Sequence, residues 1–272
     1  MSGSLQQRMG QAQGAARALL SLAGRPTTVP GAVVLAYHDV GDDPANTTDY
    51  YVSPSRLRQQ LRWTTELGMS FVSLAELSRR WRAGDDIDGL ASVVFDDSLV
   101  GVHHHAMPVL LDLEVPATVF TVTDALGSSP AWWSGAARVM TRDEAGEMAA
   151  NGFDLASHTR SHPSLTSLDR ARLGDEVVGS RHEIEDLMGR LVPVFAYPYG
   201  HHDAAVRQAV GDAGYETSFT FLNGRVTPGL DPFKLPRLNM WQGQDKARLA
   251  YHLGRPASSW PPHQQNEIGH LA

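Results

Sequence analysis

The chain has 272 residues, 42% of them apolar, which allows one sizeable core and excludes wholesale disorder. Asp plus Glu number 30 against 23 Lys plus Arg, a net charge of −7; without a dense basic block this is a poor grip for nucleic acid, and no nucleic-acid partner is expected. Cysteine is absent, which removes disulfides, zinc–thiolate sites and thiol nucleophiles, whereas the 12 histidines are clustered and point to chemistry.

Residues 1–30 read as an N-terminal helical extension, polar as far as Gly14. Its best apolar run, residues 18–23, is broken by Ser21, short of the roughly 7–15 apolar residues of a secretory signal. No stretch reaches the roughly 20 apolar residues that cross a bilayer. The expectation is a cytoplasmic protein. Arg8 and Arg17 flank an Ala/Leu-rich segment, so peripheral membrane contact is the alternative to a solvated helix packed on the domain.

From residue 31 apolar runs of strand length alternate with helical patterns. Strands are predicted at 31–38, 92–96, 117–122, 153–157, 192–197, 215–219 and 235–240. Between them, Ser53 followed by Pro54 opens a helix that Gly68 ends. Ser73 with Glu76 and Thr141 with Glu144 fit capping boxes, and Asp203 caps a helix running to Gly211 or Gly214. Fully apolar strands alternating with helices indicate an α/β fold with a parallel sheet, and about seven such units favour a closed or nearly closed (β/α) barrel. One domain is expected over 31–255, with a flexible Pro/Ser/Gln/His-rich tail at 256–272.

In such barrels chemistry gathers where strands end, and four polar clusters fall there: Tyr37-His38-Asp39, Asp96-Asp97, His158 to His162, and Tyr197-Pro198-Tyr199-Gly200. Asp96-Asp97 is either a pair of working carboxylates or a solvated helix cap. His158 and His162, four apart, share a face if they lie on a helical turn, and two histidines plus a carboxylate such as Asp97 form a common catalytic zinc set. Asp96 is then left beside the metal as a base. Taken alone, His38 reads as a hydrogen-bonded core histidine, and the Tyr-Pro-Tyr-Gly segment as a rigid turn. His103, His104 and His105 fall in the first turns of a helix, where neighbours point about 100° apart, so a solvated face is expected of them.

The set resembles the polysaccharide deacetylase family, also called the NodB-homology or carbohydrate esterase family 4 group. Val94-Phe95-Asp96-Asp97-Ser98 matches its first motif, His158-Thr159-Arg160-Ser161-His162 its second and Pro198-Tyr199-Gly200 the end of its third. The resemblance covers about residues 31–240 and implies a distorted (β/α) barrel. It implies a divalent metal, zinc foremost, held by Asp97, His158 and His162, with Asp96 as base and the Tyr199 N–H on the oxyanion. Tyr37-His38-Asp39-Val40 is similar to the N-terminal segment of the poly-N-acetylglucosamine deacetylase subgroup, which makes His38 the general acid. Two positions depart from the pattern: Ser98 replaces a Gly, and Phe195 stands where an Arg often steadies the base, a task Arg237 could take over.

The implied activity is metal-dependent removal of N-acetyl groups from N-acetylhexosamine glycans, with Trp132 and Trp133 as candidates for stacking on sugar rings. The alternatives are an O-acetyl esterase or deformylase acting on a lipid-linked or small sugar conjugate, and a catalytically decayed glycan-binding module.

Overall fold

The computed structural model of the chain describes residues 12–16, 19, 30–43, 48 and 50–255. The strands, in chain order, are β1 (Val33–Tyr37), β2 (Asp39–Val40), β3 (Tyr51–Val52), β4 (Ser70–Phe71), β5 (Leu90–Phe95), β6 (Ala117–Thr121), β7 (Asp154–Ser157), β8 (Val194–Ala196), β9 (Thr217–Asn223) and β10 (Leu235–Asn239). Seven of them close a parallel ring in the order β1-β10-β9-β8-β7-β6-β5, because β5 pairs back onto β1 with Val33 opposite Ala91 and Tyr37 opposite Phe95. The strands β1, β5, β6 and β8 are buried almost throughout, which is why they are runs of Val, Ala, Phe and Leu rather than alternating patterns. This is the (β/α) barrel expected from the alternation. Three two-residue strands carried no apolar run long enough to read: β4 extends the sheet beside the start of β5, and β2 pairs with β3 outside the ring. The sixth predicted strand begins two residues late and runs on to Asn223.

The outer layer comprises α1 (Pro54–Glu66), α2 (Leu74–Ala83), α3 (Met107–Asp112), α4 (Arg142–Ala150), α5 (Arg170–Gly174), α6 (Ser180–Met188), α7 (Ala204–Asp212) and α8 (Lys246–Gly254). The start signals act as read. Ser53 accepts from Arg56 N–H at the start of α1, Asp203 accepts from Val206 N–H at the start of α7, and Thr141 with Glu144 makes a complete capping box on α4. Ser73 accepts from Glu76 N–H, but the Glu76 carboxylate turns to Arg79 and Arg80 instead of closing the box. Among the described residues two helices carry π-helical turns, Val102–Ala106 before α3 and Asp175–Gly179 before α6.

At the N-terminus, residues 12–16 are helical, and a Cβ added to the buried Gly14 would lie 2.7 Å from the Arg255 side chain, so this short piece sits against the end of α8. Arg8 and Arg17 lie outside the described residues, as does the expected tail at 256–272. Among the described residues no helix is long and apolar enough to cross a membrane.

Candidate active site

The ends of β1, β5, β7 and β8 meet on one rim of the barrel. The chain turns sharply as it leaves β5. Asp97 (φ 67°) and Ser98 (φ 49°) both adopt left-handed backbone, so Ser98 holds a conformation that a glycine would adopt without strain. Ser98 is nonetheless built in, its Oγ accepting from Val122 N–H and its carbonyl from Met140 N–H. The strain separates two adjacent carboxylates into different environments.

Asp97 turns to the histidines. Its Oδ1 lies 3.2 Å from His162 Nε2 and 3.7 Å from His158 Nε2, and the three buried side chains offer ligand atoms all within 4.8 Å of one another. Ligand atoms about 2.0–2.2 Å from a tetrahedral ion lie roughly 3.3–3.6 Å apart, so this donor set fits a divalent cation. His158 Nδ1 donates to the Ala196 carbonyl at 2.8 Å, which fixes the ring and leaves Nε2 as the free lone pair. Burial pushes His158 down to about 4, so it is a neutral imidazole at physiological pH. Residues 158–162 do not lie on a helical turn. They form a loop in which Thr159 (φ 72°) and His162 (φ 60°) are left-handed, and this bend, rather than helical periodicity, brings the two imidazoles together. Glu176, in the second π-helical turn, braces the loop by accepting from the Arg160 and Ser161 N–H groups at 2.9 Å each and from Ser161 Oγ.

Asp96 turns the other way. Its Oδ1 accepts from Arg237 Nη1 at 2.6 Å, and its Oδ2 lies 3.8 Å from His38 Nε2. Burial alone would raise its pKa, but the Arg237 guanidinium, with His158 and His38, outweighs burial and holds the carboxyl below the usual range. Arg237 is fully buried on β10, also donates to the Thr220 carbonyl at 2.8 Å, and packs over Phe120 and Phe221. Phe195 instead packs among Tyr197 and Tyr215. His38 leaves β1 inside an aromatic surround of Tyr50, Phe221 and Trp133. Burial lowers its pKa, Arg237 adds to that, and the nearby Asp96 and Asp97 oppose it.

Tyr199 (φ 58°) sits edge-on to His162 with ring centroids 4.7 Å apart. Gly200 beside it is required on two counts: its φ is 70°, and an added Cβ would come 2.6 Å from the Phe221 Cβ. Trp132 donates its indole N–H to Asp97 Oδ1 at 3.1 Å and lies nearly parallel on His162, so one face expected to be open to a sugar is covered by an imidazole. Trp133 lies edge-on to His38 and Tyr50. Trp132, Tyr50, Phe221 and Glu176 carry no sequence signal for these roles, because each acts through a contact made only when distant loops meet.

The histidine tract departs from expectation in part. Residues 102–106 form a π-helical rather than α-helical turn, and His103 and His104 reach Glu144 as a second group able to approach one ion. Glu144 is already engaged by both Arg138 nitrogens and by its capping box. His103 itself pairs with Glu147 at 3.0 Å.

Residues 83–218 match the family model for polysaccharide deacetylase, and the chain belongs to that family. It is a carbohydrate deacetylase of the NodB-barrel type, and the Asp/His cluster suits the metal dependence general to such enzymes. Among curated relatives, it is 25% identical over 228 residues to a poly-β-1,6-N-acetyl-D-glucosamine N-deacetylase of Staphylococcus epidermidis, covering 76% of this chain and 78% of that one. Among solved structures, the deacetylase PplD of Streptococcus pyogenes, in complex with acetate, aligns with a TM-score of 0.73 at 22% identity, covering 84% of this chain and 99% of that one. IcaB of Ammonifex degensii aligns at 0.71 with 24% identity over 83% and 97% of the respective chains. At these identities the structural likenesses speak for the barrel.

Proposed function

We propose that this chain is a zinc-dependent N-deacetylase of glycans containing N-acetylhexosamine. Asp97, His158 and His162 hold the metal, Asp96 is the base and His38 the acid. The observation that carries the reading is the split between the two neighbouring aspartates: Asp97 Oδ1 faces both imidazoles, whereas Asp96 is tied to Arg237. A bound divalent metal supplies a polarised acetyl carbonyl and a more acidic water.

Everything else falls to side chains and backbone. Asp96, kept ionised by Arg237, accepts the proton from the attacking water. Arg237 takes the steadying role that Phe195 cannot perform. The Tyr199 N–H steadies the charge that develops on the former carbonyl oxygen. His38, 3.8 Å from Asp96, delivers a proton to the leaving nitrogen, without which an amine is a poor leaving group. The aromatic wall of Tyr50, Trp133 and Phe221 keeps that imidazole in place and limits water around it. The curated relative supports a β-1,6-linked N-acetylglucosamine polymer as the first substrate to test.

The test is acetate release from N-acetylglucosamine oligomers with and without a chelator. Activity lost on chelation and restored by zinc supports the reading, and chelator-insensitive release contradicts it. The same assay on O-acetylated and N-formylated sugars bears on the alternatives: a His38→Ala variant that keeps ester activity favours the ester reading. The cytoplasmic placement belongs to this proposal too, and acetate-releasing activity found at the cell surface contradicts it.

A further inference from the structure

We propose that Trp132 is a positioning residue of the metal centre, its indole N–H fixing the Asp97 carboxylate and its ring fixing the plane of His162. This rests on the metal reading above. The two imidazoles are oriented by different means. His158 has its Nδ1 anchored on the Ala196 carbonyl, whereas the buried His162 Nδ1 has no hydrogen-bond partner among the described residues. What holds the His162 ring is ring contact: Trp132 lies over it with centroids 4.5 Å apart and planes within 21°, and Tyr199 meets it edge-on.

The same asymmetry holds for the carboxylate. His162 Nε2 cannot both donate to Asp97 and offer its lone pair to an ion. Once it ligates, the Trp132 indole at 3.1 Å remains as a donor to Oδ1 whose proton is never in competition. Ligating carboxylates keep such outer partners, whose loss typically weakens metal binding about 10–100-fold.

Trp132 sits on a loop that is tied down at its far end. The loop is bonded to the segment that follows Asp97, with Met140 N–H donating to the Ser98 carbonyl at 2.8 Å and Val100 N–H to the Arg138 carbonyl at 2.9 Å. Leu99 and Val139 form an antiparallel bridge between the same two segments. The segment after Asp97 and the 138–140 end of the Trp132 loop are therefore joined by backbone bonds. The neighbouring Trp133 touches His38 and Tyr50, on the acid side of the site.

The experiment is zinc affinity by competition with a chromophoric chelator for the wild type, Trp132→Phe, Trp132→Leu and Trp133→Phe. Trp132→Phe keeps a ring over His162 and removes the N–H, and Trp132→Leu removes both. The expected losses are about tenfold and up to about a hundredfold, while Trp133→Phe binds zinc as the wild type does. Wild-type affinity in both Trp132 variants overturns the inference. A wild-type protein that takes up no zinc overturns the metal reading itself, a distinguishable result. Should the variants fail to fold, the 15N indole spectrum of the wild type decides. Zinc must shift at least one of its six tryptophan N–H resonances, and six unmoved resonances overturn the inference.

Discussion

Asp96 and Asp97 are adjacent in sequence, yet one is committed to a guanidinium and the other to two imidazoles. A positioned acid or base contributes about 10²–10⁴-fold. Asp96→Asn and His38→Ala should therefore each lower kcat at least about a hundredfold while zinc stoichiometry stays at the wild-type value. His158→Ala should lose the metal. Arg237→Gln has a signed pH effect. Arg237 holds Asp96 low and also lowers His38. Its removal lets both pKa values rise, so both limbs of the bell-shaped kcat/KM profile move to higher pH, and unmoved limbs contradict the assignment. A stability effect is expected at Asp39, which burial raises from 3.8 to about 6. Between those values the folded state holds a proton that the unfolded chain has lost, so this carboxyl costs stability as pH rises from about 4 to about 6. The melting temperature of Asp39→Asn should exceed that of the wild type at pH 8, and the gap should close as pH falls through that window.

Elements of the fold were legible where local chemistry decides them. The Ser53-Pro54 start, the Thr141/Glu144 box and the Asp203 cap are read from side chains that satisfy N–H groups three residues away, and all three form. Thr141→Ala should cost about 0.5–2 kcal/mol, measurable by urea denaturation. Long buried strands were legible from their apolar runs. Two-residue strands were not, because a bridge of that length is a product of the sheet around it. The loop at 158–162 is subtler: the i, i+4 spacing would bring two imidazoles together on a helical turn, whereas here left-handed residues at Thr159 and His162 do so. The π-helical turns were likewise hidden, since an α-helical and a π-helical turn share one apolar pattern over five residues.

At the scale of the whole molecule, the closed ring is what makes a site out of residues spread from His38 to Arg237. Clusters at strand ends could be read from the sequence because a parallel barrel places all such ends on one rim. Which atoms meet there could not, since Trp132 on Asp97, Glu176 under the 158–162 loop and Thr220 on Arg237 depend on loops and strands whose relative placement no local pattern encodes. A metal that ties β5 to β7 should stabilise the barrel. Zinc at a thousandfold over its dissociation constant adds about 4 kcal/mol, so thermal melts should shift upward with zinc in the wild type and not in His158→Ala.

The most direct test of the central claim is a crystal of the zinc-soaked protein with anomalous maps recorded on either side of the zinc edge. An anomalous peak is expected about 2.0–2.2 Å from Asp97 Oδ1, His158 Nε2 and His162 Nε2, with Asp96 outside coordination distance and still bonded to Arg237. A peak ligated by Asp96, or zinc found beside His103 and His104 and nowhere near Asp97, would contradict it.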